Sequence, residues 1–196
     1  MNKVFFIGKD SIPSGVRLER GETLTWTLVA MPGVSADVEI EIDIDGPGCT
    51  VDLAGLYVCN SDEKVNLKAL VRHNSGGSVS RQLFKGVTGG HSSFSFDGLI
   101  YVRQDAQKTK AFQENHTILL SPDAVAQTRP QLEIYADDVE CSHGATTGFL
   151  SQEELFYMRS RGIPEPEARR LQILSFLSPV LDRLPEELSQ EIVSVL

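Results

Sequence analysis

The chain is short of cysteine, short of cations and without a long apolar run, and each shortage removes a class of protein. Three cysteines occur in 196 residues, Cys49, Cys59 and Cys141. An odd count with no CxxC pair argues against a disulfide framework and a closed zinc site, and fits a reducing, cytoplasmic setting. Lys and Arg total 18 against 27 Asp and Glu, a formal charge of -9 that repels phosphate backbones, so no nucleic acid is expected as a partner. No stretch approaches the roughly 18 apolar residues a membrane span needs, so no membrane is expected either. The early run Val4-Phe5-Phe6-Ile7 is broken by Gly8-Lys9-Asp10 and is too short for a signal-peptide core. There is no H-E-x-x-H pair, no G-x-S-x-G elbow and no lysine-bearing phosphate loop, so the sequence supports no hydrolase or nucleotide chemistry and reads as a non-enzyme.

What is present is 41% hydrophobic content, enough to fill one domain with a small appendage. From Thr23 to about Val139 the chain reads mainly as short strands. The clearest is Val38 to Asp45, where strict alternation sets Val38, Ile40, Ile42 and Ile44 against four carboxylates. Further strands are expected over Thr50 to Cys59, Val65 to Arg72, Ser78 to Phe84, Ser93 to Val102, Thr117 to Leu120 and Leu132 to Val139, with turn residues between most of them. This pattern suits a sandwich, a barrel or a solenoid. Cys49 to Leu53, Lys64 to Lys68 and Phe94 to Gly98 look like loosely related rungs at a solenoid period.

Composition changes after Gly148. Ser151-Gln152-Glu153-Glu154 has the capping-box form and should open a helix to about Arg161, stopped by Gly162 and Pro164. A second helix from about Glu165 would carry Ala168, Leu171, Leu174, Leu177 and Leu181 as one apolar stripe, kinked or divided at Pro179. Pro185 to Val195 suits a third. The expected division is therefore a β core over 1–148 and a helical segment over 149–196.

The string Ala136-Asp137-Asp138-Val139-Glu140-Cys141-Ser142-His143-Gly144-Ala145-Thr146-Thr147-Gly148 resembles the signature of the SufB/SufD family of iron-sulfur cluster assembly proteins, on its SufD side. Phe96 to Val102, Thr109 to Asn115, Leu119 to Ser121 and Pro130 to Tyr135 are similar to the family's penultimate rungs, and Leu155 to Ile163 to the start of its C-terminal helices. The resemblance implies a right-handed parallel β-helix followed by helices, in a short member lacking the family's N-terminal helical region. It implies a SufD-like scaffold that pairs through its last β-helix strands with a SufB-like partner or with itself as a homodimer. It further implies a SufC-type ABC ATPase docked on the helices, with Leu155, Phe156, Tyr157, Arg159 and Arg161 at that contact. The cofactor it implies is a transient iron-sulfur cluster or iron at a subunit interface, with none tightly bound.

If Leu132 to His143 continues as one strand, Val139, Cys141 and His143 share a face, with thiol and imidazole about 7 Å apart along the chain. Both are plausible iron ligands, but two ligands do not complete a site. By resemblance, His143 matches the SufD histidine implicated in cluster assembly, and Cys141 the cysteine two positions before it. The plainer alternative makes Cys141 a small buried hydrophobe and His143 a hydrogen-bonding corner residue. Asp137, Asp138 and Glu140 are either hard iron ligands or a solvated edge. His73, His91 and His116 read as surface or turn residues, and Cys49 and Cys59 as buried packing on separate strands. Arg159, Arg161, Arg169 and Arg170 form a basic spot that would suit an acidic partner. Two other readings stand beside the scaffold: a small metal-dependent enzyme gathering His91, His116, Cys141 and His143, and a purely structural β-helix dimer.

Overall fold

The computed structural model describes residues 2–196; Met1 lies outside the described residues. Eleven strands and three helices are found among the described residues, in the order β1 (Asn2–Phe6), β2 (Gly15–Leu18), β3 (Thr23–Ala30), β4 (Ala36–Ile44), β5 (Thr50–Cys59), β6 (Lys64–His73), β7 (Val79–Thr88), β8 (Ser93–Val102), β9 (Lys110–Leu119), β10 (Val125–Ile134), β11 (Glu140–Phe149), α1 (Gln152–Ser160), α2 (Glu165–Leu181) and α3 (Glu186–Ser194). Odd strands form one sheet, β1-β3-β5-β7-β9-β11, and even strands a second, β10-β8-β6-β4-β2. Every pairing is parallel. Thr50 pairs with Val79, Val79 with Lys110 and Lys110 with Glu140, so one turn takes about 30 residues and the chain winds a parallel β-helix of about five turns.

The lumen between the sheets forms because alternation aims one face of each strand inward. Leu24, Trp26 and Leu28 on β3 face Ile40, Ile42 and Ile44 on β4, and β5 adds Val51 and Leu53. Trp26, Phe84, Phe94 and Phe96 are fully buried, each contributing about 1.5–3 kcal/mol by leaving water. Large side chains stack along the axis where a neighbouring rung is bare. A Cβ on Gly86 would lie 2.2 Å from the Tyr57 ring, so glycine there makes room for Tyr57, which stacks on Phe94 with centroids 3.5 Å apart.

The odd-strand sheet is buried on both faces in the second half of its strands. Val29, Ala54, Leu56, Val58 and Val87 point outward into a second apolar cluster with Leu155, Ala168, Ile173, Leu177, Val180 and Leu181. The helices therefore fold back on the outside of the β-helix. Arg183 pairs with Asp52 at 2.6 Å, Gln172 Nε2 donates to the Ser151 carbonyl at 3.0 Å, and the Lys85 ammonium lies 4.4 Å from the Phe176 ring centroid.

Of the capping box, the Ser151 half is present, its hydroxyl accepting from the Glu154 backbone N–H at 3.3 Å. Pro179 does not divide α2, which runs on to Leu181. Proline cannot serve the carbonyl four residues back, that of Ser175, and the Ser178 hydroxyl donates to it instead at 3.0 Å. The α2 stripe is also rotated from expectation: Gln172, Ile173 and Val180 are buried, while Leu171 is exposed and Leu174 only partly covered.

Other corrections concern strands. β1 and β2 precede Thr23, the strand expected over Thr117 to Leu120 is the end of β9, and β11 spans most of the signature, where no separate strand was expected. Leu132 to His143 is not one strand, because β10 ends at Ile134 and a turn through Tyr135–Val139 starts β11. Cys49 and Cys59 do not lie on separate strands: Cys59 is the last residue of β5 and Cys49 immediately precedes its first. Both are buried; Cys49 Sγ donates to the Glu19 carbonyl at 2.8 Å, and burial pushes the Cys59 thiol up to about 12, helped by the nearby Glu63 charge. His73 is neither surface nor turn. It occupies the inward row between Ile44 and Val102, fully buried, with Nε2 2.8 Å from Ser80 Oγ.

Candidate functional site

β11 is the last strand of its sheet. Among the described residues it pairs with β9 on one side and with nothing on the other, so its far row of backbone N–H and C=O groups is open. β10, the last strand of the opposite sheet, is likewise unpaired on its outer edge, and its inward residues Ala126, Thr128, Pro130 and Leu132 are only half-buried. The β-helix thus ends without a cap.

On β11 the residues in register with the inward row of β9 are Cys141, His143, Ala145 and Thr147, paired with Ala111, Gln113, Asn115 and Thr117. Cys141 and His143 therefore share the lumen-side face of an open strand, two residues apart. Cys141 is half-buried beside Leu132 and Val139. Burial holds its thiol above the ordinary range, the Ala111 backbone N–H pulls it down and the Glu140 charge adds a smaller upward push. The thiol is thus largely protonated at neutral pH, and loading it with metal or sulfur releases a proton. His143 is exposed, and its side chain makes no hydrogen bond among the described residues.

The acidic run divides away from this face. Glu140 points to the other side of β11 and pairs with Lys110 at 2.8 Å. The backbone of Asp138 bonds to Gln107 and Lys108, and the Asp137 and Asp138 side chains lie in solvent. The other histidines are not gathered either: His91 sits at a corner 3.7 Å from Asp123, and His116 lies outside the sheet, bonded to Thr146 at 2.7 Å and Glu114 at 3.3 Å. No group of three or more His, Cys, Asp or Glu side chains is placed to hold a metal among the described residues. The enzyme reading that collected His91, His116, Cys141 and His143 loses its geometry.

Below the open strand the lumen changes character. Ser80, Gln82, Gln113, Asn115 and Thr117 are buried where the earlier turns carry Val, Leu and Phe. Gln113 Nε2 donates to Gln82 Oε1 at 3.1 Å and Thr128 donates to Asn115 Oδ1 at 3.2 Å, yet Gln82 Nε2, Gln113 Oε1, Asn115 Nδ2 and His73 Nδ1 have no partner. The sequence reading missed this set. Its only trace in the sequence is that Gln82, Gln113 and His143 recur about 30 residues apart, one turn each.

The second feature is an apolar groove of about 820 Å³ between the end of β11 and the helices, lined by Ile118, Phe149, Tyr157, Met158, Leu171 and Phe176. Phe149 and Tyr157, which line the groove, and Phe156, which does not, are 67%, 59% and 75% exposed. Of the residues expected at a helical contact, Leu155 is buried against the sheet and is part of the core, whereas Phe156 and Tyr157 face outward. Arg161 stacks on Tyr157 with its Nη2 3.1 Å from the phenol oxygen, and Arg159 pairs with Glu165 at 3.1 Å.

The SUF system FeS cluster assembly SufBD core domain matches residues 13–176. The chain belongs to the SufBD family. It is 38% identical over 152 residues to the iron-sulfur cluster assembly protein SufD of Escherichia coli, covering 77% of this chain and 36% of that protein. It is 32% identical over 183 residues to SufD of Bacillus subtilis, covering 93% of this chain and 42% of that one. A chloroplastic protein of Arabidopsis thaliana is 40% identical over 144 residues, 71% of this chain and 30% of its own length. The chain thus spans well under half of these relatives. The SufBD match takes in β2 to β11 and reaches into α2, so it includes both the open strand and the groove. No helix among the described residues is long and apolar enough to cross a membrane.

Proposed function

We propose that this SufBD-family chain is a SufD-like scaffold, not an enzyme, whose open strand β11 pairs with a SufB-like partner or a second copy and brings Cys141 and His143 to the seam where an iron-sulfur cluster is assembled as cargo. The observation that carries this reading is the unpaired edge of β11, with a thiol and an imidazole on its lumen-side face. An incoming strand would continue the sheet through backbone hydrogen bonds, and a two-fold arrangement would set the same edge against itself. Sulfur and imidazole nitrogen both suit iron, and the partner chain supplies the remaining ligands. Anaerobic mixing of this chain with iron, sulfide and a SufB-like partner is expected to give a visible cluster absorbance that Cys141→Ala and His143→Ala largely abolish. An unchanged spectrum in both variants overturns the assignment.

The groove between β11 and the helices is the proposed seat of a SufC-type ABC ATPase, with Phe156, Tyr157, Arg159 and Arg161 at the contact. Support comes from the exposed aromatic side chains beside basic ones in an otherwise acidic chain. Deleting the helices is a poor test, because it would uncover Val29, Ala54, Leu56 and Val58. Replacing Phe156 and Tyr157 together by Ala leaves that packing intact and is expected to weaken ATPase capture about thirtyfold or more. Binding at full strength rejects the groove as the seat. A cytoplasmic location follows from the same reading.

A further inference from the structure

The buried amide pair Gln82 and Gln113 leads directly to His143. Leu53, Gln82, Gln113 and His143 occupy one inward row in successive turns, each in register with the next and about 4.8 Å from it. Gln113 is fully buried, and its carboxamide crosses the lumen to the opposite sheet. A Cβ built on Gly98 would lie 2.5 Å from Gln113 Nε2 and 2.6 Å from Oε1, so the amide in this position occupies the space that a side chain at residue 98 would take. The two heteroatoms straddle Gly98 almost equally, with Nε2 turned back toward the Gln82 oxygen of the preceding turn. Oε1 is buried and has no partner among the described residues, and the next residue of the row ahead of Gln113 is His143. A buried carbonyl without a donor is costly; Gln82 already meets this amide through its own oxygen, and the next side chain ahead on the row able to donate is the His143 imidazole, itself unbonded.

We propose that Gln113 is a positioning residue for His143, its Oε1 accepting a hydrogen bond from one ring nitrogen so that the other keeps its lone pair toward the open seam, with Gln82 anchoring the amide from behind. The inference rests on the reading of His143 as a ligand at that seam. An imidazole free to rotate and exchange tautomers presents a lone pair in the required direction only part of the time. A carbonyl bonded to the far nitrogen selects both tautomer and ring plane, as outer partners of metal-binding histidines do elsewhere. The amide ladder is thus the rigid backing of a side chain that would otherwise hang from an edge strand.

The test is ring-nitrogen NMR of the ¹⁵N-histidine-labelled full chain, without iron or partner, at a pH where the imidazole is neutral. The bond is expected to bias the two tautomers of His143 about fivefold away from their ratio in the unfolded chain. Gln113→Met, and Gln82→Met with Gln113→Met, should return the ratio to the unfolded value. The double variant leaves no orphaned amide, so it guards against a single variant that fails to fold. A tautomer ratio equal in the native protein and in both variants overturns the proposal. Because no metal is present, this result is independent of the cluster assay on Cys141→Ala and His143→Ala, which alone decides the ligand assignment.

Discussion

The two ends of the lumen are made of different chemistry. Between β3 and β8 it is closed by both sheets and filled by Trp26, Leu53, Phe84, Phe94 and Phe96. Between β9 and β11 it is lined by Gln113, Asn115 and Thr117 and ends at a strand whose residues are mostly exposed. The contrast teaches that stability is concentrated upstream and on the helix-covered face, so that the last turn is free to carry open backbone and polar side chains. A strand that must accept a partner cannot also bury its edge.

The comparison breaks most visibly in the closed part. Phe96→Ala should cost about 3–5 kcal/mol in chemical denaturation, because a fully buried ring facing Phe84 leaves a cavity the parallel rungs cannot collapse into. A loss under about 1 kcal/mol would show that the aromatic stack does not hold the turns together.

The next effect lies at the border of the two regions and is set by pH. Burial depresses the His73 pKa to about 4, against an ordinary value of 6.5. The unfolded chain therefore takes up a proton before the folded chain does. Stability from this site is complete above about pH 6.5 and falls by up to about 3 kcal/mol as pH drops toward 4. His73→Leu should flatten that slope, as read from denaturation midpoints across the range.

Glu63 gives a smaller effect in a more acidic window. It is buried, which alone would raise its pKa, but backbone N–H groups of Gly33, Ser61 and Asn60 donate to its carboxylate and together hold it below the ordinary value. Its contribution is present above the unfolded carboxyl value and is lost as pH falls through the lower folded one. Glu63→Gln should cost about 1–3 kcal/mol at neutral pH and remove that part of the acid dependence.

The smallest stability effect is expected where the functional one is largest. His143→Ala should change stability by about 1 kcal/mol or less, since the side chain is exposed and the proposed bond to Gln113 is its single tie to the interior. A loss of 2 kcal/mol or more would mean that His143 is a packing residue and the contrast between the two ends is false.

The strands with clean alternation, β4 and β8, were legible because each buries one face and exposes the other. β9 and β11 were harder. Gln113, Asn115, His143 and Thr147 put polar residues on the inward face, which erases the alternation that marks a strand. The first turn of α1 was legible from Ser151 and Glu154, since a cap is a local interaction. Leu155 and Leu171 were misjudged because which side of a helix is covered depends on the sheet it meets. Cys141 and His143 stood out through their signature, but Gln82 and Gln113 carry no signal unless the chain is folded at its turn length.

The amino-acid order by itself determined what depends on near neighbours: the strand-and-turn rhythm, the capped start of α1, the acidic balance and the two-residue spacing that puts thiol and imidazole on one face. Only the tertiary structure decided which strand is last, which face of the odd-strand sheet the helices cover and which buried amides line up behind His143. These are contacts between residues a full turn or more apart, and their partners are chosen by the winding of the backbone, which no local pattern encodes.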